Sequence, residues 1–555
     1  MKKWFREQEN RIAVFVFFVT VIAVCSPVIT KYCINGHDLD YHLLRIESLK
    51  EGILMGRPFG RINVLFFGGA GYASSLFYPD LFLYIPALLR VCGAGINASY
   101  HIYIALCICL TYLGTQYCVK KMTGSPYAAI MASVLMVTSP YYLGDIYIRS
   151  AVGEYTAFIF LPFILYGIYN VLYEGMDRPY ILAIGYAGVL LCHTNTFLFM
   201  ILFGFAAFVI KWKRFRDNPA TLLRLGVTIA VTMLLTAFYW VPAMEMFFAS
   251  SLKVSEAWIP LEQSALQFSK IFSMDFPGMG YWLIIPALFR VLIKKNPQNR
   301  DLIGYADWLL IGGCGFAVLT TDLIPWARLN PYLSFVQFPW RLFVPATAMF
   351  AVASSIILSV FIRSSLEPYM QSSSKVLTVV LLVISLAFAL RSIGNADITY
   401  YDYSDDYYSY KPFTGHVIAG EWLPDATGTA SDILAESEHL YSATGDDLPF
   451  ERIEDRVEAD ISESHDYVDA PFVYYKGYAA SLTDTEGRKI SLPVSISEKG
   501  TCRVYTGSQT GRLTVYYRGT VLQKLAMTAS ILTVAGLIVY ALYRRKRNGI
   551  TEEKS

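Results

Sequence analysis

Charge is the first thing this sequence is short of. Only 16% of its residues are Asp, Glu, Lys or Arg, where a soluble globular chain carries roughly 25%. Apolar residues make up 55%, and the mean hydropathy is +0.41. A surface so poor in charge does not face water throughout, which excludes a soluble enzyme and a disordered chain. Net charge is missing too: 46 basic residues against 44 acidic ones leave +2. No bulk field recruits a polyanion, so a nucleic-acid partner is excluded. The nine cysteines are scattered, and without a C-x-x-C or a Cys/His cluster neither a structural zinc site nor a disulfide scaffold is expected. There is no G-x-x-x-x-G-K-[ST], H-E-x-x-H or G-x-S-x-G, so P-loop, zincin and α/β-hydrolase chemistry fall away.

What the sequence does have is apolar runs. A membrane helix needs ~20 mostly apolar residues to cross a ~30 Å core. Thirteen candidates lie near 12–30, 80–92, 100–119, 126–141, 155–173, 180–193, 196–211, 221–243, 281–293, 302–320, 339–361, 376–393 and 520–543. Basic flanks orient them by the positive-inside rule. Lys211, Lys213, Arg214 and Arg216 mark one cytoplasmic loop, and Lys294, Lys295 and Arg300 another. Arg544, Arg545, Lys546 and Arg547 put the C-terminus in the cytoplasm. The first run follows Lys2, Lys3, Arg6 and Arg11 and has no small-residue cleavage site, so it reads as an uncleaved helix with a cytoplasmic N-terminus. Two inner ends demand an even number of crossings. The misfit falls at 80–92, a short run bracketed by Pro79 and Pro86, which is expected to fold back within a large first external loop, 31–99. About twelve spans remain. Irregular backbone at that depth is tolerated only against protein or a water-filled cavity, so an outward-opening cavity is expected beneath this loop.

The charges are segregated. Residues 395–519 hold 22 acidic and 10 basic residues, a net of −12. Short β-rich runs, 472–478, 489–496, 501–505 and 512–518, are split there by Gly, Pro and Asp/Thr turns. The Tyr-rich opening (Tyr400, Tyr401, Tyr403, Tyr407, Tyr408, Tyr410) suits a membrane-surface belt or a stacking surface. The chain therefore reads as a polytopic all-α membrane region, 1–394, an external β-rich domain, 395–519, and a final span with a basic cytoplasmic tail, 520–555. A plasma-membrane location follows.

Ionisable residues gather at the expected external ends of spans, where charge near lipid is costly. His37-Asp38-Leu39-Asp40-Tyr41-His42 follows the first span, with Arg45 and Glu47 just beyond. Two carboxylates two residues apart can share a divalent cation such as Mg or Mn. Alternatively one of them accepts a proton, or the pair is a solvated acidic loop. Tyr78 and Asp80 open the folded-back helix, where Asp80 is either a helix cap or part of a site. Asp145, Arg149 and Glu154 share the next external loop. An external arginine runs against the positive-inside bias, and a phosphate ligand or an interfacial Arg–Glu pair would account for it. His193 interrupts an apolar stretch, as a helix–helix hydrogen bonder or a site residue. Gln337 and Arg341 open another span, and Arg341 meets a lipid phosphate or snorkels to headgroups.

An Asp-x-Asp soon after the first span, a re-entrant first loop and a second acidic external loop resemble the GT-C superfamily of membrane glycosyltransferases. More narrowly, Gly36–Ile46, Arg149-Ser150-Ala151-Val152-Gly153-Glu154, Gln337-Phe338-Pro339-Trp340-Arg341 and Phe472–Tyr478 resemble the YfhO-like bacterial membrane proteins. Some members of that family are labelled as related to 6-pyruvoyl-tetrahydropterin synthase, although nothing here resembles a soluble pterin enzyme. The resemblance implies transfer of a sugar from a polyprenyl-phosphate donor to an extracytoplasmic acceptor: an envelope polymer, glycolipid or protein. It maps the first-loop acid onto Asp38 or Asp40, with His42 adjacent, and the second-loop acid onto Asp145 or Glu154. It also implies an inverting displacement in which a cation or Arg149 stabilises the departing phosphate. The alternatives are a transporter or flippase of a lipid-linked saccharide, which would place charges near the bilayer midplane, and a non-catalytic envelope-assembly protein.

Overall fold

The computed structural model describes residues 2–255, 259–364, 368–402 and 420–552. Each of the thirteen apolar runs is helical. Six helices are long and apolar enough to cross a membrane: Ile96–Thr123, Val152–Tyr173, Arg300–Leu319, Pro339–Arg363, Val376–Asn395 and Val521–Arg545. Two bent pairs, Pro126–Val137 with Pro140–Tyr147 and Pro219–Leu235 with Ala237–Ala249, raise the number to eight. These helices place the chain in a membrane. The twelve crossings expected from charge parity require shorter apolar helices, such as Asn10–Val24 and Thr194–Ile210, to cross as well. The helix at Leu81–Val91 reaches only about 16 Å, roughly half the hydrocarbon core, so it does not cross alone.

Two compact units are each assembled from discontinuous segments: Met1–Leu43, Leu88–Ile229 and Ala257–Asp405 in the first, Leu44–Ala87, Ala230–Glu256 and Asp406–Ser555 in the second. Much of the expected first external loop, Leu44–Ala87, therefore groups with the β-rich residues.

The first unit is helical. Lipid tails supply no hydrophobic drive between helices, so small residues and close backbone approach hold such bundles together. A Cβ on Gly185 would lie 2.6 Å from the backbone nitrogen of Ile164, and one on Gly167 would lie 2.8 Å from Cα of Leu182. Helices Leu161–Tyr173 and Pro179–Leu190 thus meet backbone to backbone. The helices at Val152–Tyr173 and Pro339–Arg363 are buried along 89% of their apolar windows, against 11% for Val521–Arg545 in the second unit. The first two are interior scaffolding, and the last is mostly exposed. A short antiparallel ribbon, β1 (Cys33–Ile34) with β2 (Tyr400–Tyr401), pairs Cys33 with Tyr401. Of the Tyr-rich opening, Tyr403, Tyr407, Tyr408 and Tyr410 lie outside the described residues.

The second unit carries nine further strands: β3 (Tyr441–Ser442), β4 (Glu451–Ile453), β5 (Arg456–Ile461), β6 (Tyr467–Val473), β7 (Tyr478–Thr483), β8 (Lys489–Leu492), β9 (Val494–Ile496), β10 (Thr501–Tyr505) and β11 (Gly511–Tyr517). They form two antiparallel sheets, ordered β3-β6-β10-β9 and β4-β5-β11-β7-β8. Alternate residues of both sheets, among them Val457, Ala459, Leu513 and Val515 on one and Val468, Ala470, Cys502 and Val504 on the other, form one apolar cluster. This is the packing of a sandwich with a period-two core. Two expected strands are divided. The stretch 472–478 is the handover from β6 to β7 through Gly477, whose φ of 121° only glycine adopts readily. The stretch 489–496 is cut by Pro493, which has no N–H for a ladder, so β8 and β9 join different sheets.

Within this unit the loop residues dock on the sandwich. Arg452 donates to the Gly69 carbonyl at 2.6 Å, the Val473 N–H donates to Ala70, and Phe77 stacks on Trp422 at 4.6 Å. The helix break at Thr236 also has a cause. The Ser530 hydroxyl accepts from the Phe238 N–H and donates to the Leu234 carbonyl, both at 2.9 Å, and so stands in the ladder where a backbone bond would close.

Candidate functional site

Helix Pro126–Val137 ends at Thr138, and Pro140 restarts the chain at a 45° bend. Helix Pro140–Tyr147 then carries Tyr141 and Asp145 into the interior of the first unit. The loop that follows holds Arg149, and the next helix begins with Glu154 in its first turn. Pro339–Leu342, a 3₁₀ turn far along the chain, supplies Arg341.

These residues form one network around Glu154. Its Oε1 lies 2.9 Å from Arg149 Nη1 and 3.0 Å from Arg341 Nε, and its Oε2 accepts from the Tyr141 hydroxyl at 2.9 Å. Arg149 Nη1 also donates to Asp145 Oδ1 at 2.9 Å. Arg341 donates to the Gln337 side-chain oxygen and lies over the Phe338 ring. Burial alone works against the charge on Arg149, but Glu154 and Asp145 raise its pKa well above the ordinary arginine value. Glu154 is saturated by these donors, so it anchors two guanidinium groups and is not free to act as a base.

Asp38 joins this network through its backbone. The His37 N–H bonds the Ile148 carbonyl at 3.1 Å, and the Asp38 N–H bonds the Arg149 carbonyl at 2.8 Å. Gly36 permits the approach: a Cβ there would sit 2.1 Å from Ser150 Oγ. Ser150 and Gln337, each next to or bonded to a site arginine, both take positive φ, 53° and 61°. Such strain costs about 1–3 kcal/mol per residue and collects at functional sites.

What remains open in the network is informative. The Asp38 carboxylate accepts no hydrogen bond from a described residue, and neither Nε and Nη2 of Arg149 nor Nη2 of Arg341 donates to one. Asp145 Oδ2 is buried without a hydrogen-bond partner among the described residues. Burial raises the Asp38 pKa, and Arg149 and Arg341 only partly offset it. A raised carboxylate beside unengaged guanidinium N–H groups can take a proton from one group while those donors hold an oxyanion. His193 stands at the start of helix Thr194–Ile210 with Nδ1 2.8 Å from Thr196 Oγ1, close enough to Glu154 for their charges to interact.

Other expected site residues lie elsewhere. Asp40 sits in the first turn of helix Leu39–Leu54, where its charge bears on Cys33. His42 is a buried helix residue with its ring 5.1 Å from that of Tyr41. Arg45, Tyr78 and Asp80 form a separate clamp in the second unit. Arg45 is fully buried and donates Nε to Asp80 at 3.0 Å and Nη2 to Asp80 and to the Tyr78 and Pro79 carbonyls, with its guanidinium 4.5 Å from the centre of the Tyr78 ring. Asp80 makes no side-chain cap bond to its own helix, so the capping reading gives way to a buried ion pair. Arg45 thus spends its Nε and Nη2 donors within the chain, while Asp80 Oδ2 is buried without a hydrogen-bond partner among the described residues.

The divalent cation expected at Asp38 and Asp40 does not suit this donor set. Among the described residues no three His, Cys, Asp or Glu side chains converge. The charges of Arg149 and Arg341 also act on Asp38 and oppose a cation there. Sequence reasoning missed Tyr141 and Gly36. Tyr141 carries no signal beyond its place after Pro140, whereas a glycine directly before His37-Asp38 is a readable sign of close backbone approach.

No protein-family model and no curated protein matches the chain. Among solved structures, it is similar to the arabinofuranosyltransferase AftD from Mycobacteria at 17% identity and a TM-score of 0.43, over 69% of this chain and 26% of that one. It is also similar to the archaeal oligosaccharyltransferase AglB from Archaeoglobus fulgidus, in complex with an inhibitory peptide and a dolichol-phosphate, at 13% identity and a TM-score of 0.38, over 69% of this chain and 56% of that one. The chain thus spans about a quarter of the first protein's length and little more than half of the second's.

Proposed function

We propose that this chain is a membrane glycosyltransferase of the GT-C type, moving a sugar from a polyprenyl-phosphate donor to a hydroxyl of an extracytoplasmic acceptor. The observation that carries the reading is the open Asp38 carboxylate beside the unengaged N–H groups of Arg149 and Arg341. In this mechanism Asp38 takes the proton of the acceptor hydroxyl, and that oxygen attacks the anomeric carbon of the donor sugar. The bond from that carbon to the lipid-phosphate oxygen breaks, and the configuration inverts. Arg149 and Arg341 hold the departing phosphate, whose charge develops as the bond opens. Glu154 keeps the two cations in register, and Tyr141 and Asp145 brace it. In the same proposal both termini are cytoplasmic, the site faces outward, and the 395–519 region helps to hold the acceptor, which is an envelope polymer, glycolipid or protein.

The test is to replace Asp38 and Asp40 singly by Asn, match membrane levels, and follow sugar transfer from a polyprenyl-phosphate donor. General-base removal is expected to cost ~10²–10⁴-fold in Asp38→Asn, with Asp40→Asn changed by less than about tenfold. Undiminished transfer in Asp38→Asn removes the proposed base.

A further inference from the structure

The second unit carries a half-open cavity of about 540 Å³ far richer in cations than in carboxylates. Arg57, Arg61, Arg518 and Lys524 line it, with Asp455 the sole acidic residue of the lining, and Asp455 is paired to Arg57. Three cations therefore remain without a carboxylate partner in the wall.

Arg61 is the most telling of them. Its Nη2 donates to the Phe238 carbonyl at 2.7 Å. That carbonyl is free because Pro242, four residues on in helix Ala237–Ala249, has no N–H to return to it. One donor of Arg61 thus mends a helix, and its other N–H groups bond no described residue. The side chain is half-buried, and burial draws its pKa below the ordinary arginine value. Asp80 is the one carboxylate whose charge acts on it, and no carboxylate bonds it among the described residues, so a half-buried guanidinium here favours an added anion.

The position of the cavity says what kind of anion. Lys524, Met527 and Thr528 belong to helix Val521–Glu552, whose apolar stretch Val521–Arg545 is a candidate span, and Arg518 immediately precedes it. The cavity therefore lies at the interfacial end of a membrane helix. Arg518 and Lys524 are exposed at its rim, and Val521 and Leu525 are exposed beside them. Met55, Phe59 and Met527 add apolar wall. Cations at headgroup depth beside an exposed apolar helix face fit a phosphate carried on acyl chains.

We propose that this cavity holds the phosphate headgroup of an anionic bilayer phospholipid, with Arg61 inside and Arg518 and Lys524 at the mouth. The inference does not rest on the glycosyltransferase reading, because none of these residues takes part in the transfer proposed above.

The experiment uses the purified full chain in a zwitterionic detergent, titrated with phosphatidylglycerol, phosphatidylcholine, a polyprenyl phosphate or inorganic phosphate, with adducts read by native mass spectrometry. Saturable binding of phosphatidylglycerol over phosphatidylcholine is expected. The double variant Arg518→Gln/Lys524→Gln, at exposed positions that leave the fold intact, is expected to weaken that binding by ~10-fold or more. Arg61→Gln is expected to do the same, and the double variant decides the matter if Arg61→Gln does not fold. Phosphatidylglycerol binding that survives the double variant overturns the proposal. So does preferential binding of inorganic phosphate or of polyprenyl phosphate at these residues.

Discussion

Two arginine–carboxylate clusters among the described residues differ in what they leave over. In the clamp of the second unit, Arg45 gives its donors to Asp80 and to two backbone carbonyls and covers its face with Tyr78. In the first unit, Arg149 and Arg341 share Glu154 yet keep N–H groups unengaged, and Asp38 stands beside them with no hydrogen bond from a described residue. Both clusters look alike in sequence, as acids and arginines at the expected ends of spans. Each cluster buries one carboxylate oxygen without a hydrogen-bond partner among the described residues, Oδ2 of Asp80 and Oδ2 of Asp145, so the arginines separate them: guanidinium N–H groups left over beside a carboxylate can act on a ligand.

The largest expected effect tests the anchor of the open cluster. Glu154→Gln takes the shared carboxylate from buried Arg149, which keeps Asp145, and from part-buried Arg341, so a loss of about 3 kcal/mol, the low end for a broken buried pair, is expected. Thermal unfolding in detergent checks it, and a loss below ~1 kcal/mol would mean that the network is not the buried ion pair described here. Next comes the approach of Asp38. Gly36→Ala drives a Cβ into Ser150, and a displacement of about 1 Å at a reacting group costs ~10²-fold in turnover. Comparing turnover per folded molecule with the wild type measures it. In the closed cluster, Asp80→Asn is expected to cost about 1–3 kcal/mol, less than Glu154→Gln because Arg45 keeps its backbone acceptors. Chemical denaturation of the two variants side by side would sharpen the contrast or erase it.

The smallest effect is a matter of pH. The folded-state pKa of Asp38 is raised above the usual carboxylate value, first by burial. Between the unfolded and folded values the folded chain binds more protons, so the Asp38 contribution to stability falls as pH rises. Transfer needs the deprotonated base and rises across the same window. Activity and stability should therefore move in opposite directions with pH, and both trends should be missing from Asp38→Asn. Parallel trends in the wild type would point to another titrating group.

Much of the secondary structure is readable from sequence because it is local. The apolar runs became helices because length and hydropathy need no partner, and the β-rich tail declared itself through alternation and turn residues. Pro493 and Gly477 divide two of the expected strands, and β3, β4 and β5 lie outside all four expected runs. The site is less legible, because its defining contacts are remote. Arg341 meets Glu154 across 187 positions, and no spacing rule links them. The same limit hid the difference between Arg45 and Arg149. Each is an arginine near an acid, and whether its donors are engaged depends on carbonyls such as those of Tyr78 and Pro79 that composition cannot reveal.

The most direct measurement sets the two clusters against each other in one assay: sugar transfer from a polyprenyl-phosphate donor, per folded molecule, by Asp38→Asn and by Asp80→Asn in matched membranes. The open cluster predicts a loss of ~10²–10⁴-fold for the first and less than about tenfold for the second. Equal losses, or transfer that persists in Asp38→Asn while Asp80→Asn abolishes it, would contradict the assignment of the working site to Asp38, Arg149 and Arg341.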